Sequence, residues 1–417
     1  MRILKYRLII MNFLQFFIWG SWLLTIGAYW FQNKQWSGTE FGAIFSTMGI
    51  ASLFMPAIAG ILADRWINAE RLYGIFHIIA AAILFCVPFV NDPSTMFWVM
   101  LVNMIFYMPT ISLSITVAYT AMKNKNMNII TEYPPVRVWG TIGFIVALWI
   151  ISLSGFETTS AQFYVASVAS LLLGIYAFTM PKCPPLAHGH KKSFVSALGL
   201  NAFSLFKDVK MAMFFIFAML LGASLQLTNA YGDTFLHDFA KIPEYKDLIA
   251  VKFPAIIMSI SQISETLFIL TIPFFLRKFG IKKVMLFSMV AWVLRFGLFA
   301  YGDPAEGLWM IILSCIIYGM AFDFFNISGS LFVETQSDPS IRASSQGLFM
   351  MMTNGFGAFL GSRISGIAID TYFTNSKGLQ WHGIWMAFAI YSLVVAVLFA
   401  ILFKHKHDPA ALASVQH

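Results

Sequence analysis

The chain has 417 residues, of which 59% are hydrophobic and only 11% are charged. A soluble protein could not bury so much apolar surface, so this composition predicts an all-α membrane protein that crosses the bilayer many times. The formal net charge is +8, but the positive residues are scattered among short segments, which argues against nucleic acid as a partner. The cysteines Cys86, Cys183 and Cys315 have no spacing typical of a disulfide or a metal site.

Apolar segments long enough to cross a bilayer recur along the chain in two sets of six. They cover roughly residues 7–31, 40–62, 70–90, 95–120, 134–154 and 160–180, and then roughly 211–236, 253–276, 281–301, 308–332, 341–370 and 382–403. The basic N-terminus leads into an apolar run without a small-residue cleavage pattern, so we interpret it as the first span and not as a signal peptide. We therefore predict twelve transmembrane helices: an N-terminal six-helix bundle in residues 1–180, a cytoplasmic linker in 181–210 and a C-terminal six-helix bundle in 211–417.

Basic residues are concentrated on the side of the predicted membrane that carries both termini. Examples are Arg65, Lys123 and Lys278, whereas the opposite loops carry acidic residues such as Asp92 and Asp303. Because loops rich in Lys and Arg stay in the cytoplasm, this asymmetry predicts cytoplasmic termini. The linker also contains the tripeptide HGH, but two histidines without further ligands do not make a metal site, and we expect a solvated segment there.

The two halves carry matching landmarks, which is typical of a transporter whose halves rock about a central site. GILADRW follows the second span, and PFFLRKFGIKK follows the eighth. GILADR resembles the loop signature of the major facilitator superfamily, although the later glycine of that signature is missing here. The resemblance implies a cytoplasmic gate at Gly60, Asp64 and Arg65, in which the glycine permits close helix packing and the aspartate pairs with basic groups.

Polar and aromatic residues lie at membrane depth in four of the predicted spans. They are Arg137, Thr141 and Phe144 in the fifth span, Gln226 and Asn229 in the seventh, Gln262 and Glu265 in the eighth, and Tyr318, Phe322 and Asp323 in the tenth. A carboxylate such as that of Asp323 costs about 2.5–3.5 kcal/mol at the bilayer centre, which indicates either a functional group or a structural ion pair. Buried amides also join helices to one another. Four spans with such groups at similar depth nevertheless predict a shared cavity.

The chemistry of these residues suits a neutral, flat, polyhydroxylated solute. Amides donate and accept hydrogen bonds, arginine offers a planar fork of donors, and aromatic rings stack on planar groups. This set does not distinguish a nucleoside from a sugar. Asp323 or Glu265 would alternate between protonated and ionised forms in a proton symporter. Arg137 is either a counter-charge or a side chain that snorkels to the cytoplasm, and Arg295 could snorkel outward.

Several longer segments resemble the nucleoside:proton symporter family of the major facilitator superfamily. They are FLQFFIWGSW, YPPVRVWGTIGF, MSISQISETLFILTIPFF, YGMAFDFFNISGS and IRASSQGLFMMMTNGFG, and the likeness extends over nearly the whole chain. It implies a fold of twelve helices that imports purine and pyrimidine nucleosides, such as uridine and adenosine, with protons across the bacterial inner membrane by alternating access. We also expect the protein to be a monomer in the lipid bilayer. The implied nucleoside contacts are Arg137, Thr141, Phe144, Gln226, Asn229, Gln262, Glu265, Tyr318 and Phe322. The implied proton-coupling groups are Asp323 and Glu265.

Two other functions remain compatible with the residues alone. One is a sugar or oligosaccharide permease of the same fold, and the other is a membrane receptor that transports nothing. An enzyme is not expected, because no nucleotide-binding loop, nucleophile–base arrangement or metal-ligand motif is present in the sequence. For the same reason we predict no catalytic residue, no metal and no cofactor.

Overall fold

The computed structural model is mostly helical, with 83% of its described residues in helices. It describes residues 2–185, 200–338, 341–376 and 378–405. The chain divides into two compact units, Met1–Leu198 and Gly199–His417. The HGH tripeptide of the linker lies outside the described residues, as does most of the segment around it.

The first unit has six long helices among its described residues. They are α1 Arg2–Gly20, α2 Gly38–Arg65, α3 Ala69–Cys86, α4 Pro93–Lys123, α5 Ile129–Leu153 and α6 Ala161–Ala177, with a short helix Ile26–Ala28, a π-helix Tyr29–Lys34 and a 3-10 turn Val87–Phe89 between them. Local sequence sets two of the starts: Ser37 and Glu40 form a capping box before α2, and the Asp92 carboxylate accepts a hydrogen bond from the Thr95 N–H before α4.

A hydrogen-bond network centred on Gln15 fills the interior of the first unit. The Gln15 amide donates to Thr110 Oγ1 at 2.9 Å and accepts from the Tyr73 hydroxyl at 2.7 Å. His77 Nε2 lies 2.9 Å from Gln15 Oε1, and the Tyr107 hydroxyl donates to the Gln15 backbone oxygen at 2.7 Å. All five side chains are buried. Because buried polar groups are costly when they lack partners, this network holds α1 in one position against α3 and α4.

The second unit has a longer series of helices and one small hairpin. The helices within its described part are α7 Val209–Asp238, α8 Pro254–Ile269, α9 Ile272–Tyr301, α10 Leu308–Gln336, α11 Arg342–Met350, a π-helix Met351–Gly357, α12 Ala358–Tyr372 and α13 Trp381–Leu402, with short turns at Leu200–Lys207, Phe239–Lys241 and Ile249–Lys252. Strand β1, Thr374–Asn375, pairs antiparallel with β2, Gly378–Leu379.

The eighth and ninth predicted spans meet differently from the expectation. A helix was expected to continue to about residue 276, but α8 ends at Ile269 and a new helix begins at Ile272. Within α9, Gly280 has φ 75° and ψ 169°, a conformation that only glycine adopts without strain. The helical direction therefore changes at Gly280, close to the gap predicted between the spans 253–276 and 281–301. The helix α9 contains the end of the first of these spans and the whole of the second.

Glycines allow backbones to touch inside each unit. A Cβ atom on Gly143 would overlap the backbone oxygen of Phe13, so α5 and α1 pack without an intervening side chain. In the second unit a Cβ on Gly222 would overlap the backbone oxygen of Thr353, which brings α7 against the π-helix. Small residues at such positions are typical of packed membrane helices.

The lengths and surfaces of the helices fit a bilayer. Nine helices in the described ranges are long and apolar enough to cross a membrane by length and composition, and α6 and α8 are shorter apolar helices. Large apolar side chains such as Leu270, Ile364 and Ile401 are exposed on the surface. Such a surface is expected of helices that face lipid.

Candidate substrate and proton site

The predicted contacts in the first unit lie along α5. Arg137 is half-buried, and its guanidinium carbon lies 4.0 Å from the centroid of the Phe16 ring in α1. Gly140 makes room for this stack, because a Cβ there would come within 2.6 Å of the Phe16 ring. Thr141 is half-buried and Phe144 is buried. The structure thus holds Arg137 against α1 by a cation–π contact. Neither of the two roles considered from the sequence, a counter-charge or a side chain that snorkels to the cytoplasm, included this contact.

The predicted contacts in the second unit lie on α7, α8 and α10: Gln226, Gln262 and Tyr318 are buried, whereas Asn229, Glu265 and Phe322 are half-buried. Gln226 is 8% exposed, Gln262 is 9% exposed and Asp323 is 4% exposed. The rings of Tyr318 and Phe322 are parallel, with 5.8 Å between centroids and 4° between planes. These two rings form one flat face of the kind that stacks on a planar ligand.

Two acids, the buried Asp323 of α10 and the half-buried Glu265 of α8, belong to helices that pack against each other. Asp323 interacts electrostatically with Glu265, and Tyr318 interacts with both acids. A Cβ on Gly319 would lie 2.6 Å from the Ser264 backbone oxygen, so the helix backbones touch beside the acids. Two carboxylates that interact in this way repel each other when both are ionised.

Three of the predicted site residues have buried oxygen atoms without a hydrogen-bond partner in the described part of the chain. They are Gln226 Oε1, Gln262 Oε1 and Asp323 Oδ2. An unsatisfied buried oxygen costs about 1–3 kcal/mol, so such atoms are expected where a polar ligand or a proton binds. Other buried atoms share this property, including both amide atoms of Asn103 in α4. A buried oxygen without a hydrogen-bond partner therefore supports the candidate site only where the residue was also predicted as a site residue from the sequence.

A small cavity of about 20 Å³ lies beside Phe322. Its lining includes Trp292 of α9, Phe325 and Asn326 of α10, and Asn354 of the π-helix. This volume holds about one water molecule, so it is too small for a nucleoside. The sequence prediction did not include Asn354, although an asparagine within a glycine-rich apolar segment was a usable signal.

Arg295 does not take the outward, snorkelling orientation that the sequence left open. Its side chain is 0% exposed and forms hydrogen bonds inside the second unit. Hydroxyl and carbonyl acceptors on neighbouring helices satisfy the guanidinium, so it gains nothing by reaching the membrane surface.

The gate residues have an exposed setting in this structure. Asp64 and Arg65 are exposed at the end of α2. A Cβ on Gly60 would meet no atom within 4 Å, so the close helix packing expected at this glycine is not found in the described part of the structure.

A family model described as the nucleoside H+ symporter matches residues 1–408. The chain belongs to the nucleoside H+ symporter family. It is 54% identical over 404 residues to the xanthosine permease of Escherichia coli strain K12, covering 97% of this chain and 96% of that protein. It is 51% identical over 417 residues to the nucleoside permease NupG of the same strain, covering 99% of this chain and 100% of that protein.

Solved structures agree with this family. The crystal structure of the nucleoside transporter NupG superposes with a TM-score of 0.91 at 51% identity, covering 97% of this chain and 100% of that one. A POT family transporter in complex with a thioalcohol-conjugated peptide, at 14% identity and a TM-score of 0.70, shares the fold alone. The sequence-based assignment to the nucleoside:proton symporters is confirmed. This member of the family is a multi-pass transporter of the bacterial inner membrane and is not an enzyme.

Proposed function

We propose that this symporter imports purine and pyrimidine nucleosides together with protons by alternating access. Family membership supports nucleoside and proton as the co-transported pair. The observation that carries the proposal is a pair of interacting acids, the buried Asp323 and the half-buried Glu265, in the unit whose helices also carry glutamine oxygens that lack partners within the described residues. Such a site offers both a proton carrier and groups for a polar, uncharged solute.

The proposed nucleoside contacts follow from the family likeness and from their chemistry. They are Arg137, Thr141, Phe144, Gln226, Asn229, Gln262, Glu265, Tyr318 and Phe322. The flat face of Tyr318 and Phe322 suits the base, because an aromatic ring stacks on any planar heterocycle. The amides of Gln226 and Gln262 suit ribose hydroxyls or base edges, since each amide both donates and accepts.

The proposed proton carrier is Asp323, acting with Glu265. When the site opens to water of higher proton activity, the pair takes up a proton, and when it opens to the other side, the proton leaves with the nucleoside. Repulsion between the two carboxylates supports this cycle, because it makes the doubly ionised state unfavourable until water enters.

The remaining parts of the proposal concern topology and the gate. We infer twelve transmembrane helices in two six-helix halves, residues 1–180 and 211–417, joined by the linker 181–210, with both termini in the cytoplasm. The kink at Gly280 supports the count, because it divides α9 into two helical segments. We further propose that the transporter functions as a monomer in the lipid bilayer, with Gly60, Asp64 and Arg65 in its cytoplasmic gate.

Uptake of radiolabelled uridine into proteoliposomes that contain only this protein tests the function. With an inward proton gradient, uridine is expected to accumulate above its external concentration, and a protonophore is expected to abolish the accumulation. Uptake that does not depend on the gradient would contradict coupling, and no uptake at all would indicate the receptor alternative. A competition panel of nucleosides and free sugars separates a nucleoside carrier from a sugar permease.

Xanthosine belongs in that panel for a specific reason. One of the relatives described above is a xanthosine permease with 54% identity to this chain. We therefore propose xanthosine as a second candidate substrate, and we expect it to compete with uridine for uptake.

A further inference from the structure

Arg295 is a buried cation that the proposed transport mechanism does not use. Its guanidinium makes three hydrogen bonds to three other helices of the second unit. Nε donates to Thr228 Oγ1 of α7 at 3.3 Å, and Nη2 donates to Ser261 Oγ of α8 at 3.4 Å. Nη1 donates to the Ser314 backbone oxygen of α10 at 2.7 Å, and the Ser314 hydroxyl donates back to the Arg295 backbone oxygen at 2.9 Å.

Each of these helices carries a proposed nucleoside contact next to the residue that Arg295 holds. Thr228 directly precedes Asn229 in α7, and Ser261 directly precedes Gln262 in α8. Ser314 lies one helical turn before Tyr318 on the same side of α10. One side chain therefore joins the three helices at the depth of the site.

Arg295 also contacts Tyr318 directly. The guanidinium carbon lies 4.7 Å from the centroid of the Tyr318 ring and 5.1 Å from that of Phe299. Trp292 meets Tyr318 edge-on, with 6.0 Å between ring centroids, and Phe322 stacks on Tyr318 in parallel. The Tyr318 ring thus contacts the Arg295 guanidinium, the Trp292 ring at right angles and the Phe322 ring in parallel.

The charge of Arg295 is not neutralised by an ion pair. Among the described residues, no carboxylate oxygen lies within 4.0 Å of its guanidinium nitrogens, whereas buried arginines are usually paired with carboxylates. The aromatic faces and neutral acceptors stabilise the cation instead. Burying a guanidinium without an ion pair is energetically unfavourable. It places a planar, rigid set of hydrogen-bond donors where several helices meet.

We propose that Arg295 is a positioning residue for the nucleoside site: its guanidinium fixes the plane of Tyr318 and the spacing of α7, α8 and α10. This inference rests on the proposed function and adds a determinant of affinity that does not touch the substrate. Loss of the fork lets Tyr318 turn and lets the three helices shift, so nucleoside binding weakens while the transport cycle continues.

The test compares Arg295→Lys with the parent chain in uridine uptake into proteoliposomes. Lysine keeps the charge but cannot stack as a plane or bond three separate acceptors. We expect KM to rise about tenfold, with the maximal rate within about twofold of the parent. Unchanged KM in a folded Arg295→Lys protein would overturn the inference, and so would a fall in maximal rate alone, which a merely structural role would produce.

A second pair of variants separates action through Tyr318 from a general loss of packing. Tyr318→Leu removes the ring that Arg295 holds, so adding Arg295→Lys to that background is expected to raise KM by clearly less than the tenfold expected when Tyr318 is present. Independent, multiplying effects of the two substitutions would contradict a role through Tyr318. The matched control is Arg342→Lys, the same substitution at an arginine whose ion pair with Glu334 spans 3.3 Å at the start of α11. It is expected to leave KM unchanged.

Milder variants keep the test decisive if Arg295→Lys does not fold. Thr228→Val and Ser261→Ala each remove one acceptor of the guanidinium and keep the side chain's approximate volume. Each is expected to raise KM about two- to threefold, and unchanged KM in both would overturn the inference. Uptake by the parent in the same vesicles distinguishes the two proposals, because a parent that transports no nucleoside removes the proposed function and this inference with it.

Discussion

Replacing Gln262 with leucine is expected to change stability and affinity in opposite directions. Gln262 is 9% exposed, and its Oε1 has no hydrogen-bond partner among the described residues. Leucine is apolar and of similar volume, so Gln262→Leu removes an unsatisfied buried oxygen without leaving a large cavity. The ligand-free protein should therefore become more stable, by about 1 kcal/mol.

The same substitution removes a hydrogen bond to the nucleoside. A lost hydrogen bond of about 1.4 kcal/mol weakens binding about tenfold. With nucleoside at about 100 times the parent's Kd, binding stabilises the parent by about 2.7 kcal/mol, but it stabilises a tenfold weaker variant by only about 1.4 kcal/mol. The nucleoside-induced rise in unfolding temperature should therefore be roughly halved.

The assay is thermal unfolding in detergent with and without uridine, together with KM from proteoliposome uptake. The matched control is Gln346→Leu, because both Gln346 amide atoms have partners: Nε2 donates to the Ser330 backbone oxygen at 2.8 Å, and Oε1 accepts from the Ser330 hydroxyl at 3.0 Å. Gln346→Leu should lower stability and leave KM unchanged. A Gln262→Leu protein that is less stable than the parent and binds uridine normally would refute the reasoning.

Three further predictions concern the scaffold. Gln15→Leu removes the centre of the buried network in the first unit and should lower the unfolding free energy by about 2–4 kcal/mol, so thermal stability equal to the parent's would contradict the network's role. Gly222→Val drives a side chain into the Thr353 backbone oxygen, and a folded variant with unaltered stability would show that α7 and the π-helix do not pack this way. Hydrogen bonds from Thr95 lower the pKa of the exposed Asp92 from its usual 3.8. The ionised Asp92 cap therefore contributes its full stability at pH values above 3.8. The difference in unfolding free energy between the parent and Asp92→Ala should disappear as the pH falls through the lowered pKa of Asp92.

The helices were largely predictable from the sequence, because long apolar runs report membrane spans directly. The tenth span was expected at roughly 308–332 and the helix covers Leu308–Gln336. The predicted helix boundary near Gly280 was less accurate, since both flanking segments are apolar and only the backbone conformation of one glycine separates them. The π-helix Met351–Gly357 gave no sequence signal distinct from that of an α-helix.

The predicted binding and proton-coupling residues stay a prediction, and the contacts between their helices were not predicted from the sequence. Burial of Asp323 agrees with the expectation, because a carboxylate in an apolar run has few other roles. The network around Gln15 and the three helices joined by Arg295 could not be predicted, since each depends on which faces of distant segments meet. Periodicity within one helix does not contain that information.

The central claim is that a buried carboxylate carries the proton that drives nucleoside uptake. Asp323→Asn keeps the size of the side chain and removes its titration, so it tests that claim most directly. The decisive measurement is uridine transport by this variant in two modes within the same proteoliposomes: exchange of internal for external uridine without a gradient, and net accumulation with an inward proton gradient. We predict that exchange continues while accumulation is lost. Gradient-driven accumulation at the parent's level would contradict the account.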